Sequence, residues 1–487
     1  MDTKKPLYIT TTLPYVNARP HVGHALEFVQ ADVLARLARQ SGREVFFNTG
    51  ADEHGQKIWE KAQKEGRDVQ EYVDHFAGEL QKLEGLLGLS NDAFIRTTSS
   101  GHIAAATEIW NRAQNKGDIY KKAYKGLYCV SDEMFLKEKD IVNGRCINHP
   151  EIEPTEVEEE NYFFRFSNYQ DQLLAYLNKD GVIVPEFRRQ EAINFVKEGL
   201  EDFSISRVKE RMEWGIPVPS DEAHVMYVWF DALTSYISTL GWPGDAGGDF
   251  AKYWEGGERL QVAGKDQVRF QSLMWQAMLM SADILSTEQI FYHGFINSQG
   301  QKMSKSIGNV IDPLDLVDKY GTDALRYYLL RHIHPTDDSD MTLEKFHEVY
   351  TAHLVNGIGN LVSRVLNMAE KYGVSWDQLG DYDALWEKAH TDERIPSLVE
   401  RFEFQGVMDA VWEVVSALDK RIDEEKPFIV AKTDEPRAAI LVGEYVRGLI
   451  VLAKELTPLL PGTSQSMQES IRNLKKPEAP LFPRLEL

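Results

Sequence analysis

Two cysteines in 487 residues are too few for a disulfide framework, and they point to a reducing compartment, the cytoplasm. Long apolar runs are missing too. No window comes near the roughly 18 uninterrupted apolar residues of a membrane-spanning helix, so no membrane partner is expected. The opening residues MDTKKPLYITTTLP hold lysines but no apolar stretch before the first turn, which excludes a signal peptide. Excess positive charge is the third absence. With 54 Lys and Arg against 76 Asp and Glu, the formal net charge is −22. That argues against non-specific duplex binding, which needs a broad cationic face. A folded RNA needs only a local basic patch.

What is present is a globular composition, 43% hydrophobic and 27% charged, long enough for about three domains. The stretch Pro14 to His24, PYVNARPHVGH, organises the rest. A β-type run, Leu7 to Thr12, enters it. A helical pattern with Leu26, Val29, Val33 and Leu37 on one face leaves it. His21 and His24 fall three apart on the first helical turn, where unpaired N–H groups and the dipole attract anions. The positive end favours neutral imidazole donors. Gly23 lets a flat ring rest on the backbone. Four such residues alone arise by chance. A second stretch, NSQGQKMSKSIGN at 297–309, changes the balance. Its glycines Gly300 and Gly308 bracket a loop carrying Lys302 and Lys305, which suits a departing pyrophosphate.

HVGH and KMSKS together resemble the two signatures of the class I aminoacyl-tRNA synthetases, with Val22 a mild variant. Within that class the chain is similar to the methionyl family, from about Tyr8 to Pro458. The resemblance implies an α/β Rossmann-like nucleotide-binding catalytic domain with an inserted connective, zinc-knuckle-like domain, followed by an all-α anticodon-binding helix bundle. The expected boundaries are 1–117 and 223–297 for the halves of the catalytic domain, with the connective insertion at 118–222. The KMSKS loop and linking fold take 298–350, the helical domain 351–475 and the tail 476–487. Catalysis is expected from His21, His24, Lys302 and Lys305. Tyr15, Gly23 and Ser304 join them around ATP with Mg2+.

Methionine is expected against Leu13, Tyr15, Asp52, Trp229, Ala232, Tyr236, Gln271 and Trp275. Asp52 follows the strand Glu44–Phe47 and is placed to hold an ammonium group, although an acid there also complements a helix dipole. VMYVWFDALTSY, 225–236, reads as a strand ending at Asp231. GKDQVRFQSLMWQAML, 264–279, reads as a helix with Gln267, Gln271, Met274 and Trp275 on one face. Aromatic walls suit a thioether, and they equally suit plain core. Gln271 stands where the family usually has a histidine that hydrogen-bonds the sulfur, and its amide N–H is expected to serve instead. Gln267 stands at a usually aliphatic position.

Cys129 and Asp132, and again Cys146 and His149, are three apart. That spacing resembles a zinc knuckle with an aspartate in place of one cysteine. It reads equally as a Zn2+ site or as a knuckle that has lost its metal. The acidic run Glu151–Glu160 reads as a solvated face. Asp312-Pro313 starts a helix and Gly321 stops it. Helices are expected over 353–369, 400–424 and 434–456.

Asn360 and Arg364 share a face and match the stretch by which methionyl enzymes read a CAU anticodon. Phe428 takes the place of the family's stacking tryptophan. The expected function is ATP-dependent ligation of L-methionine to tRNA(Met) through methionyl-adenylate, releasing AMP and pyrophosphate, for initiation and elongation. The short insertion argues against leucine, isoleucine and valine specificity. Cysteinyl specificity and a non-catalytic tRNA-binding relative are the alternatives. A monomer is expected, since no oligonucleotide-binding barrel follows the helices.

Overall fold

The structure is a computed structural model that describes residues 4–130, 134–136, 140–147, 153–244, 247–303 and 309–486. Asp132, His149, Ser304 and Lys305 lie outside the described residues. The chain forms two compact units. One comprises the described parts of Met1–Pro20, Ser41–Leu83 and Ser90–His293; the other comprises His21–Gln40, Glu84–Leu89 and Gly294–Leu487.

The first unit is built on a parallel sheet of six strands: β1 (Leu7–Thr11), β2 (Val45–Ala51), β3 (Ala93–Arg96), β4 (Ile183–Val184), β5 (Glu258–Gly264) and β6 (Gln289–His293). Their order is β3-β2-β1-β5-β6-β4, every pair parallel. β1 is buried along its whole length, as a central strand covered on both faces must be. The order reverses between β1 and β5. In open parallel sheets the ligand crevice lies beyond the strand C-termini at that point. Thr12, just past β1, donates its N–H to Val262 O at 3.2 Å.

An antiparallel region lies between β3 and β5 in the chain. Ile119–Cys129 pairs with Thr155–Phe164 in a long ribbon, flanked by Met134–Leu136 and Phe203–Ser204. Glu156, Glu158 and Glu160 point to solvent, as the acidic run suggests. Period-two alternation turns Glu159 inward, where Arg211 pairs with it at 3.2 Å.

The stretch around Trp229 differs from its sequence reading. The strand is Asp221–Met226, antiparallel to Ser206–Val208 and Pro217–Val218. Beyond Tyr227, whose N–H reaches Ile205 O at 2.9 Å, no strand partner continues among the described residues. The chain turns into a short helix, Val228–Ala232. Trp229 and Asp231 are therefore helical residues.

The second unit is mostly helical: α1 (Val22–Gln40), α2 (Thr322–Arg331), α3 (Asn360–Lys371), α4 (Phe404–Glu425), α5 (Glu435–Leu456) and α6 (Pro461–Asn473) are its longer helices. Before α2, Asp312 caps Pro313–Tyr320 by accepting the Leu314 N–H, and Gly321 ends that helix at φ 88°. The expected helix over 353–369 is interrupted. Tyr350–Gly359 winds wide, with Gly357 outside helical geometry, before α3 begins. Arg326 of α2 is fully buried. It pairs with Asp32 of α1 at 2.8 Å and donates to Leu459 O at 2.8 Å and Leu87 O at 3.2 Å. Among the described residues no helix is long and apolar enough to cross a membrane.

Candidate functional site

The first unit gathers most of the residues expected around methionine. Past β1 the chain keeps pairing with the end of β2: Tyr15 bridges Asp52, with Val16 N–H to Asp52 O at 3.1 Å and Asp52 N–H to Pro14 O at 3.0 Å. Asp52 is 2% exposed. Its carboxylate lies 3.4 Å from the His54 N–H. Tyr15 meets Trp229 edge-on at 5.9 Å. Trp229 lies flat on Phe270, ring centroids 3.8 Å apart. Tyr236 meets Trp275 edge-on at 5.8 Å. Leu13 and Ala232 are buried. Phe270 is a contact that sequence reading missed, hidden between two glutamines.

The helix read over 264–279 is three segments. A tight turn Lys265–Gln267 precedes a wide turn Phe270–Met274, and an α-helix follows over Trp275–Ser281. The wide turn carries one extra residue per hydrogen-bonded ring. It aims Gln271 back at the strand end. The Gln271 amide nitrogen lies 3.0 Å from Thr12 Oγ1 and 2.7 Å from Tyr236 Oη. The expected donor to a substrate sulfur is thus already engaged within the protein.

Beside this niche stands a buried charge network that sequence reading did not find. Asp231 is fully buried, with Oδ2 2.7 Å from His54 Nδ1 and Oδ1 2.6 Å from His102 Nε2. His102 Nδ1 continues to Ser238 Oγ at 2.9 Å. Burial pushes the Asp231 carboxyl up, but His54 and then His102 more than offset it and hold the group at about 2. The three residues are 177 and 129 positions apart, which no local pattern reveals.

The second unit holds the other signature residues. At the start of α1 the His21 and His24 rings stack, centroids 3.8 Å apart. Gly23 N–H donates to His21 Nδ1 at 3.1 Å, and His21 N–H donates to His24 Nδ1 at 3.2 Å. A ring nitrogen that accepts carries no proton, so each imidazole presents Nε2–H as its donor. Val22 N–H bonds Ile311 O at 3.3 Å, tying this helix start to the segment after KMSKS. The Asn309 amide reaches Ser298 O and Lys302 O, each at 3.4 Å, and closes the stem of that loop. Lys302 is exposed, with its ammonium 5.6 Å from the Phe295 ring.

Farther along, Asn360 opens α3 and is exposed. Arg364 reaches Asp423 at 2.6 Å and Asp419 at 3.6 Å on α4. Phe428 is 48% exposed beside Lys426, which adopts φ 45°. Of the four proposed metal ligands two are described. Cys129 and Cys146 are buried in one small apolar cluster with Leu136 and form no disulfide. Among the described residues no group of three or more His, Cys, Asp or Glu could hold a metal.

The family model described as tRNA synthetases class I (M) matches residues 7–156 and 140–366. A methionine–tRNA ligase of Rhizobium meliloti is 40% identical over 97% of this chain and 92% of its own length. One from Caldanaerobacter subterraneus is 39% identical over 96% of the chain and 74% of that protein. Methionyl-tRNA synthetase of Mycobacterium tuberculosis, solved with methionyl-adenylate, superposes with TM-score 0.88 at 34% identity, covering 99% of this chain and all of that one.

Proposed function

The chain belongs to the methionyl-tRNA synthetases of class I, and from that membership we infer how its residues divide the reaction. It is a methionine–tRNA ligase. ATP and L-methionine give methionyl-adenylate and pyrophosphate, and tRNA then takes the methionyl group with release of AMP. The methionine carboxylate oxygen attacks the α-phosphorus and the pyrophosphate oxygen leaves. No side chain need act as nucleophile, so the residues contribute position and charge.

In the first unit Asp52 receives the ammonium group, and Leu13, Tyr15, Trp229, Ala232, Tyr236 and Trp275 enclose the side chain. Gln271 faces its end. The supporting observation is that Tyr15, held by its bridge to Asp52, also touches Trp229. One short stretch thus serves both ends of an amino acid. In the second unit His21 and His24 donate Nε2–H to phosphate oxygens, with Gly23 leaving room for the His21 ring. Lys302 and Lys305 neutralise the pyrophosphate as it departs, and the Ser304 hydroxyl donates a hydrogen bond to it. The divalent cation that accompanies ATP, Mg2+, lowers phosphate charge. tRNA(Met) with a CAU anticodon is the acceptor, read by Asn360, Arg364 and Phe428. The protein acts as a cytoplasmic monomer.

The connective region, 118–222, retains half of a zinc set in Cys129 and Cys146, packed in one cluster. Asp132 and His149 would complete it. Elemental analysis of the purified protein decides: one zinc per chain supports the set, and none removes it.

Methionine-dependent exchange of pyrophosphate into ATP, followed by charging of tRNA(Met), tests the function. Exchange with no amino acid would overturn it. Lys305→Ala is expected to slow adenylate formation about a hundredfold or more with little change in methionine affinity, as loss of a transition-state contact does.

A further inference from the structure

The niche proposed for the methionine side chain contains more polar groups than a thioether can use. Gln271 is fully buried and Gln267 is 9% exposed. Each has an Oε1 with no hydrogen-bond partner among the described residues, as do Trp229 Nε1 and Trp275 Nε1. Gln271 and Trp275 both contact Tyr236, and Trp229 stacks on Phe270, the neighbour of Gln271. A thioether sulfur is only a weak acceptor. Filling such a niche with an apolar chain end leaves buried polar atoms unpaired, which is costly.

The Gln271 amide can serve either polarity. Its nitrogen sits between the hydroxyls of Thr12 and Tyr236. A hydroxyl accepts from an amide nitrogen and equally donates to an amide oxygen. A half-turn of the amide therefore keeps both contacts and presents N–H where Oε1 now stands. An imidazole in the same place has no such exchange without a proton shift.

We propose that this subsite also takes a side chain ending in a strong acceptor, L-methionine sulfoxide, with Gln271 as the residue that sets the selectivity. The sulfoxide is methionine plus one oxygen on sulfur. Its S–O oxygen accepts from the turned Gln271 amide, and the indole N–H groups of Trp229 and Trp275 are the further donors in the niche. The activation step is unchanged: carboxylate oxygen joins the α-phosphorus and pyrophosphate leaves. No oxidant is needed, because the substrate arrives oxidised. The inference rests on the reading of this niche as the methionine side-chain subsite.

The test is mass detection of the adenylate formed by the full chain with ATP and either L-methionine or methionine-free L-methionine sulfoxide. The expected result is both adenylates, with the sulfoxide kcat/KM within about a hundredfold of methionine, a gap that a purely apolar niche would widen. Gln271→Met is expected to lower the sulfoxide-to-methionine ratio by about tenfold or more. Gln271→His, whose imidazole has no such exchange without a proton shift, serves where that variant does not fold. Methionyl-adenylate without the sulfoxide adenylate overturns the inference and leaves the function standing. Neither adenylate overturns the function itself. An unchanged ratio in a folded Gln271→Met removes Gln271 from the assignment.

Discussion

Asp231 is the residue on which the first unit's polar interior turns. Its carboxyl titrates at about 2, below the ordinary 3.8, because His54 and His102 outweigh its burial. A depressed carboxyl adds stability that is complete above the unfolded value and lost as pH falls through the folded one. The window is pH 4 down to 2, and the amount is about 2 kcal/mol. Denaturant unfolding between pH 5 and 2 should show this loss. In Asp231→Asn the slope across that window should shrink by this contribution. The same variant leaves two imidazoles facing an amide that can accept from only one at a time, at a cost of about 3 kcal/mol at neutral pH. The substituted helix also carries Trp229, and His54 N–H faces Asp52, so methionine KM should rise with it. A pH profile identical to wild type would remove the charge from the account. None of this was legible beforehand. The sequence reading takes Asp231 only as the end of a strand and does not single out His102; only folding sets them 2.6 Å apart.

At the scale of elements, the start of α1 shows how a motif becomes a tool. A Cβ at Gly23 would stand 2.9 Å from the His21 ring. Gly23→Ala should therefore displace that ring and break its Nδ1 contact with the backbone. Pyrophosphate exchange should fall about tenfold or more, in kcat rather than in methionine KM. A pure KM effect would contradict a role on the phosphates. The sequence period revealed this helix because apolar spacing and a two-proline turn act locally. The same period failed over 264–279, where a wide turn shifts the register and aims Gln271 at Thr12. It also failed at Trp229, since whether a β-prone run continues as strand depends on a partner elsewhere in the chain. Phe428 belongs to this scale as well. Its ring is exposed at the head of Pro427–Val430, where the proposed function uses it as a stacking platform. Phe428→Ala should raise the tRNA KM about ten- to a hundredfold. An equal loss in tRNA-free pyrophosphate exchange would sink the anticodon role.

For the whole molecule, the net charge of −22 makes tRNA binding depend on local groups. The Arg364 cation is already paired with Asp419 and Asp423. Within the second unit, Arg326 fastens the helix of the first signature to the α5–α6 turn, at Pro458 and Leu459. Arg326→Met removes the 2.8 Å ion pair to buried Asp32 and the guanidinium's bonds to three backbone carbonyls. A loss of about 3 kcal/mol is expected, seen as a lower melting temperature. A variant as stable as wild type would mean that the buried pair contributes nothing net. By itself the sequence determined the alternation of strand and helix, the acid-capped helix at Asp312, the late helices, and the family through HVGH and KMSKS. Those are local codes, written in neighbouring side chains and backbone propensities. Tertiary structure alone decided that Gln271 would meet Thr12 and Tyr236, that Asp231 would hold two histidines, and that Arg326 would neutralise Asp32. Such pairs join residues more than a hundred positions apart or on separate elements. Their energies come from burial, which no short stretch of chain contains.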